Sequence, residues 1–153
     1  MANTYTQLYV QVVFAPKSKH SLIDEDWENE LYKYITGIIR NNKHKLFAIN
    51  GTSDHLHLLI SLSPHQSLSE LIQIIKSNSS KWINESNFTM GRFEWQEGFG
   101  GFTYSKSHIT AVVKYIAEQK EHHKKTTFLD EYRKILKLYS VDYRDEYIFK
   151  EPV

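Results

Sequence analysis

The stretch Asp54-His55-Leu56-His57-Leu58-Leu59-Ile60 carries the clearest chemical content in this sequence. Side chains alternate along a strand, so His55 and His57 share one face while Leu56, Leu58, Ile60 and Leu62 share the other. The apolar set must face a core, which leaves two neighbouring imidazoles on the opposite, half-exposed face as a chelating pair. Imidazole is the commonest side-chain metal ligand near neutral pH. Two histidines are short of a site, so a third ligand must come from elsewhere. The spacing of Ile109, Val112, Val113 and Ile116 predicts a helix over 107–123, and on it Tyr115 and Gln119 are four residues apart and stack on one side. At roughly 100° per residue, His108 and His122 fall within about 20° of the same line. Docked through its apolar stripe, such a helix holds Tyr115 and Gln119 at the edge of the contact. Taken singly, two strand histidines or an interfacial tyrosine are ordinary structural features; the combination carries the functional reading.

The elements that must position these groups are legible in outline. Thr4–Phe14 reads as a strand ended by Pro16. Asp24 caps a helix with Trp27, Leu31, Tyr34, Ile35 and Ile38 on its packing side. Lys45–Asn50 and His55–Leu62 form an antiparallel hairpin about Gly51–Asp54. Ser67 and Glu70 make a capping box for a helix with Leu68, Leu71, Ile72, Ile75, Trp82 and Ile83 on one side. Residues 87–101 read as a loop, Phe102–Ser105 as a fourth strand, and Thr127–Asp130 as the start of a last helix with Tyr132, Ile135, Leu136 and Tyr139 packing. The tail from Ser140 has no readable pattern. The order predicts an α+β, ferredoxin-like (RRM-like) antiparallel sheet with helices on one face, plus C-terminal helices.

Composition bounds the rest. The 153 residues contain no cysteine, which excludes disulfides, zinc–thiolate sites and cysteine nucleophiles together. No repeat or linker is visible, so a single domain over 1–153 is expected. With no apolar run long enough for a bilayer and no basic-then-apolar leader, a cytoplasmic protein is expected. Net charge is only +1, but it is unevenly spread. Acids crowd into 24–30, and 31–53 holds none.

The sequence resembles the single-tyrosine HUH transposases, the TnpA type of single-strand insertion sequences, and their relatives associated with repeated extragenic palindromes (REP). His55-Leu56-His57 matches the His–hydrophobe–His motif, and Tyr115-Ile116-Ala117-Glu118-Gln119, followed by His122-His123, matches Tyr-x-x-x-Gln. Ser77–Trp82 and Phe93–Gly100 look like the family's helix and its aromatic-glycine loop. The likeness runs from the first strand to about residue 140. It implies that His55, His57 and Gln119, three neutral ligands, hold one divalent ion (Mg²⁺ or Mn²⁺), and that Tyr115 is the nucleophile. It also implies metal-dependent cutting and rejoining of single-stranded DNA through a 5′-phosphotyrosine bond. The implied partners are hairpin DNA at element ends and a second copy of the chain, in a homodimer whose active sites are shared between subunits. Arg40, Lys45, Lys76, Lys81 and Lys106 are candidate phosphate contacts. Tyr104-Ser105 departs from the family's usual small aliphatic and serine, which makes Tyr104 a rival nucleophile by residue type. The alternative functions are a domesticated hairpin-DNA-binding protein, a non-catalytic nucleic-acid-binding ferredoxin-like module stacking bases on Tyr5, Tyr9 and Phe47, and a hydrolase using water.

Overall fold

In a computed structural model of the chain, residues 3–152 are described. Met1, Ala2 and Val153 lie outside them, and with them the ends of the 1–153 span and the start of the segment read for a leader. The chain runs β1 (Tyr9–Phe14), α1 (Glu25–Asn41), β2 (Lys45–Thr52), β3 (His55–Ser61), α2 (Leu68–Ser86), β4 (Gly100–Tyr104), α3 (Ile109–Ala117), α4 (Gln119–His122) and α5 (Phe128–Leu138). The four strands form one antiparallel sheet in the order β2-β3-β1-β4, as the sequence order predicts. No helix among the described residues is long and apolar enough to cross a membrane.

One sheet face builds the main core. Val10, Val12 and Phe14 of β1 and Leu56, Leu58 and Ile60 of β3 pack against Leu31, Ile35 and Ile39 of α1 and Leu71, Ile72 and Ile75 of α2. Each fully buried aliphatic side chain contributes about 1.5–3 kcal/mol, so the β3 register is strongly held; slipping it by one residue would drive both histidines into this core. Both helices start as read: Asp24 accepts from the Asp26 amide and Ser67 from the Glu70 amide. The strands differ at their ends. β1 begins only at Tyr9; Thr4–Leu8 is exposed, with the Leu8 carbonyl accepting from the Leu62 amide (2.8 Å). β2 continues to Thr52, leaving Ser53–Asp54 as the turn, and β4 starts two residues earlier than predicted.

The opposite face is not half-exposed. Val112 and Ile116 of α3 pack on Leu59 and Ala48, while α5 lies over Phe102, with Tyr132 against that ring. Gly100 permits this approach: a Cβ there would sit 2.6 Å from the Tyr132 hydroxyl. His55 and His57 are consequently fully buried. The centre of the face on which a base-stacking module would read nucleic acid is closed, and Tyr9 and Phe47 pack edge to face at its end.

The continuous helix expected over 107–123 is broken. A 3₁₀ turn covers Lys106–His108, and Glu118, at φ −95° and ψ 14°, separates α3 from α4. The cause lies far away in sequence. The Asn50 side-chain amide donates to the carbonyls of Ile116 (3.0 Å) and Ala117 (3.1 Å), taking acceptors that a continuous helix would use itself. The unread tail forms a 3₁₀ turn at Asp145–Tyr147 and then buries Phe149 against Phe128 and Tyr132. The Gln96 side chain ties it to the loop after α2, its Nε2 donating to the Lys150 carbonyl and its Oε1 accepting from the Lys150 amide, both at 2.7 Å.

Candidate active site and metal centre

β3, α3, α4 and α5 bring the site together. His55 and His57 project from β3 with ring centroids 5.0 Å apart. Tyr115, near the end of α3, sets its ring 5.8 Å from His57. Gln119, fully buried at the start of α4, places Oε1 2.9 Å from His55 Nε2. The break at Glu118 aims this side chain inward, and Lys120 anchors the short helix by its ion pair to Glu28 (3.1 Å) and its bond to Asn50 Oδ1 (2.9 Å). All four residues singled out for chemistry are therefore neighbours within one chain.

Two further residues stand at the centre. The His123 ring lies 4.4 Å from His55, and Glu131 of α5, only 3% exposed, reaches into the cluster. Glu131 Oε1 lies 3.1 Å from His57 Nε2, 2.9 Å from His123 Nε2 and 3.7 Å from His55 Nε2. Glu131 Oε2 accepts from the Tyr115 hydroxyl and from Gln119 Nε2 (3.1 Å). Among the described residues, His55, His57, His123 and Glu131 form the only His/acid cluster that could hold a metal ion, their ligand atoms all within 4.8 Å of one another. The expected set of three neutral donors therefore has a carboxylate in its midst. The sequence held a signal for it: Glu131 falls among Phe128, Tyr132, Ile135 and Leu136, an acid on the apolar side of its helix.

The second layer orients the imidazoles. Asp54 Oδ1 accepts from His55 Nδ1 (2.8 Å), Gln11 Oε1 from His57 Nδ1 (2.9 Å), and the Thr126 carbonyl from His123 Nδ1 (2.9 Å). Each Nε2 is thereby turned to the centre, the atom that a neutral imidazole would offer to an ion, as metal-binding histidines do. Among the described residues no buried side-chain nitrogen or oxygen lacks a neighbour, and at the centre the three Nε2 atoms face the acceptor oxygens Gln119 Oε1 and Glu131 Oε1. Acceptors facing acceptors need protons or a cation between them, so the donor set fits a divalent ion.

Electrostatics are shaped by the same contacts. Burial pushes His57 down to about 4 and so keeps it neutral, although Glu131 opposes this. Burial would raise Glu131, but the neighbouring His123 and His57 imidazoles outweigh it and hold the carboxyl far below its ordinary range. Burial lowers His123, and its bond to Glu131 more than reverses that, leaving it raised. Burial and then Glu131 raise the Tyr115 phenol well above its usual value.

The candidate phosphate contacts are not gathered here. Lys76 donates to the carbonyls of Gln96 (2.8 Å) and Gly98 (2.6 Å), which makes it a clamp on the loop after α2. Lys81 pairs at 3.9 Å with Glu85, and Lys45 sits over Phe47. Arg40 and Lys106 are exposed, at the end of α1 and after β4. Lysines not among those candidates lie closer: Lys120, Lys124 and Lys125 border a cavity of about 790 Å³ beside His123 and Asp54. A second cavity, of about 410 Å³, opens on Tyr115, Tyr104, His122 and Lys134. Tyr104 itself is tied by Gln11 Nε2, which donates to its hydroxyl at 2.8 Å.

Solved structures share this architecture. A candidate transposase from Deinococcus radiodurans R1 superposes with a TM-score of 0.60 at 18% identity, covering 78% of this chain and 95% of that one. A REP-associated tyrosine transposase bound to a REP hairpin gives 0.61 at 15% identity, covering 80% of this chain and 73% of that one. No curated protein matches the sequence. The profile of the IS200-like transposases matches residues 4–119, from ahead of β1 through Gln119. The chain belongs to the IS200-like transposase family.

Proposed function

We propose that this transposase, acting in the cytoplasm, cuts and rejoins single-stranded DNA through a covalent bond to Tyr115 and recognises DNA hairpins. The observation that carries the reading is the meeting of Tyr115 with buried His55, His57 and Gln119 in one chain. The hairpin-bound neighbour supports the choice of DNA partner.

His55, His57 and Gln119 would hold one divalent ion, Mg²⁺ or Mn²⁺. When bound, such an ion neutralises charge on phosphate oxygens and orients the phosphate. The Tyr115 oxygen attacks phosphorus, its proton passing to Glu131, the acceptor already bonded to it. The bond from phosphorus to the strand's 3′ oxygen breaks, and that oxygen takes up a proton. A 5′-phosphotyrosine and a free 3′-OH result. Phenol, with a pKa of about 10 in water, leaves more readily than an alkoxide, so a 3′-OH can reverse the attack and join strands without ATP. Tyr115 and Gln119 reach the histidine pair of their own chain, so a dimer with shared sites would require α3 and α4 to leave this position.

The test is incubation with Mn²⁺ or Mg²⁺ and single-stranded DNA carrying the hairpin found beside the gene, followed by a denaturing gel. A covalent adduct is expected, and its loss in Tyr115→Phe. Cutting without an adduct would replace the tyrosine nucleophile by water.

A further inference from the structure

The carboxylate at the centre of the site comes from α5, beyond Gln119, where the family match ends. We infer that His123 and Glu131 are metal ligands alongside His55 and His57, that this set selects a nitrogen-accepting ion such as Mn²⁺ over Mg²⁺, and that Glu131 ties the ion to Tyr115. The inference rests on the metal site of the proposed function and adds two residues to it.

Three observations carry it. First, His123 is held as the β3 histidines are held. Its Nδ1 is committed to a backbone carbonyl, which can only accept, so Nε2 is the nitrogen left to offer a lone pair to an ion at the centre. Second, Glu131 is an almost fully buried acid surrounded by imidazoles, with one oxygen within 3.7 Å of three ring nitrogens. A buried carboxylate is costly unless paired with a cation. Third, its two oxygens face different groups: Oε1 the imidazoles, Oε2 the Tyr115 hydroxyl and the Gln119 amide. One side chain can thus bind the ion through Oε1 and hold the nucleophile through Oε2.

The donor chemistry decides the ion. Mg²⁺ prefers oxygen and keeps its waters, whereas three imidazoles and a carboxylate suit first-row transition ions. With Glu131 bound, a divalent ion carries one compensating charge that three neutral donors would not supply. The match of the cluster to its ligand is independent of DNA, so it can be measured without cleavage.

The experiment titrates Mn²⁺ into the 153-residue protein and follows loss of the free-ion electron paramagnetic resonance signal, with Mg²⁺ as competitor. Four variants are compared: His55→Ala, His123→Asn, Glu131→Gln and Glu131→Asp. The asparagine amide can still donate to the Thr126 carbonyl but has no Nε2. Circular dichroism and melting in a chelator report whether each variant folds. Wild type is expected to bind one Mn²⁺, at least about tenfold more tightly than Mg²⁺. His123→Asn and Glu131→Gln are each expected to weaken Mn²⁺ by roughly 10- to 100-fold, with Glu131→Asp, which keeps the charge, between them and wild type. Unchanged Mn²⁺ binding in both His123→Asn and Glu131→Gln would overturn the inference while leaving the His55–His57–Gln119 reading intact. Tighter binding in Glu131→Gln would overturn it in favour of a carboxylate that blocks the site. Unchanged binding in His55→Ala would instead sink the metal site itself.

Discussion

At the scale of single residues, the site trades stability for preorganised donors, and pH exposes the trade. Burial lowers His57 from 6.5 to about 4. Between those values the unfolded chain takes a proton that the folded chain refuses, so metal-free protein loses stability as pH falls, by roughly 1 kcal/mol per pH unit. Glu131, also depressed, adds to the loss only below its ordinary value of 4.5. His123 is raised, so its contribution is full below 6.5 and disappears only as pH rises through its folded value. Chemical denaturation in a chelator should therefore show stability declining between pH 6.5 and 4.5, and His57→Gln should flatten that segment. A flat wild-type profile would mean that His57 is charged in the folded protein. His55 and His57 were legible because alternation alone puts them opposite Leu56, Leu58 and Ile60. Glu131 was signalled only as an acid on the apolar side of its helix, and its role could not be read because the imidazoles it meets come from β3 and from the turn after α4.

Elements set where those residues point, and here long-range contacts override local pattern. The apolar stripe of the run from Ser107 ends at Ile116, but no glycine or proline marks a turn at Glu118. That break is written on β2, where Asn50 captures two carbonyls of α3 and also accepts from Lys120. Asn50→Ala should cost about 1–2 kcal/mol through the lost bonds and let α3 and α4 straighten. Gln119 then turns away from His55, and adduct formation should fall more than the change in stability explains. Equal losses in both would leave Asn50 a purely structural residue. Gly100 is the corresponding device under α5. An alanine there meets the Tyr132 ring, and Tyr132 neighbours Glu131, so Gly100→Ala should weaken Mn²⁺ binding while preserving the sheet's circular dichroism signature. Unaltered Mn²⁺ affinity would show that α5 absorbs the methyl group without moving Glu131. The hairpin, the caps and the first two helices were legible because they depend on local patterning; the covered second face was not, because α3 and α5 dock there through sequence-distant pairs such as Val112 on Leu59 and Tyr132 on Phe102.

At the scale of the molecule, the site is a joint between the segment shared with the family and a C-terminal piece that wraps back over it. β3, α3 and Gln119 lie within the matched residues, whereas His123, Glu131 and the tail lie beyond them. What presses α5 onto the sheet is apolar: Phe128, Tyr132 and Leu136 below, and Phe149 returning from the tail against the first two. Glu131 sits between Phe128 and Tyr132 in sequence, so the tail braces the helix that carries the carboxylate. Phe149→Ala removes a nearly buried ring, a change that costs about 3 kcal/mol in a well-packed core. If the tail is a local brace, that cost appears as opening of α5 alone. Amide exchange should then accelerate over 128–138 while β1 and β3 stay protected, and adduct yield should drop although Phe149 is remote from Tyr115. Uniform acceleration across all strands would show instead that tail, α5 and sheet unfold as one unit, and that the C-terminal piece is part of the core rather than a clamp laid over it.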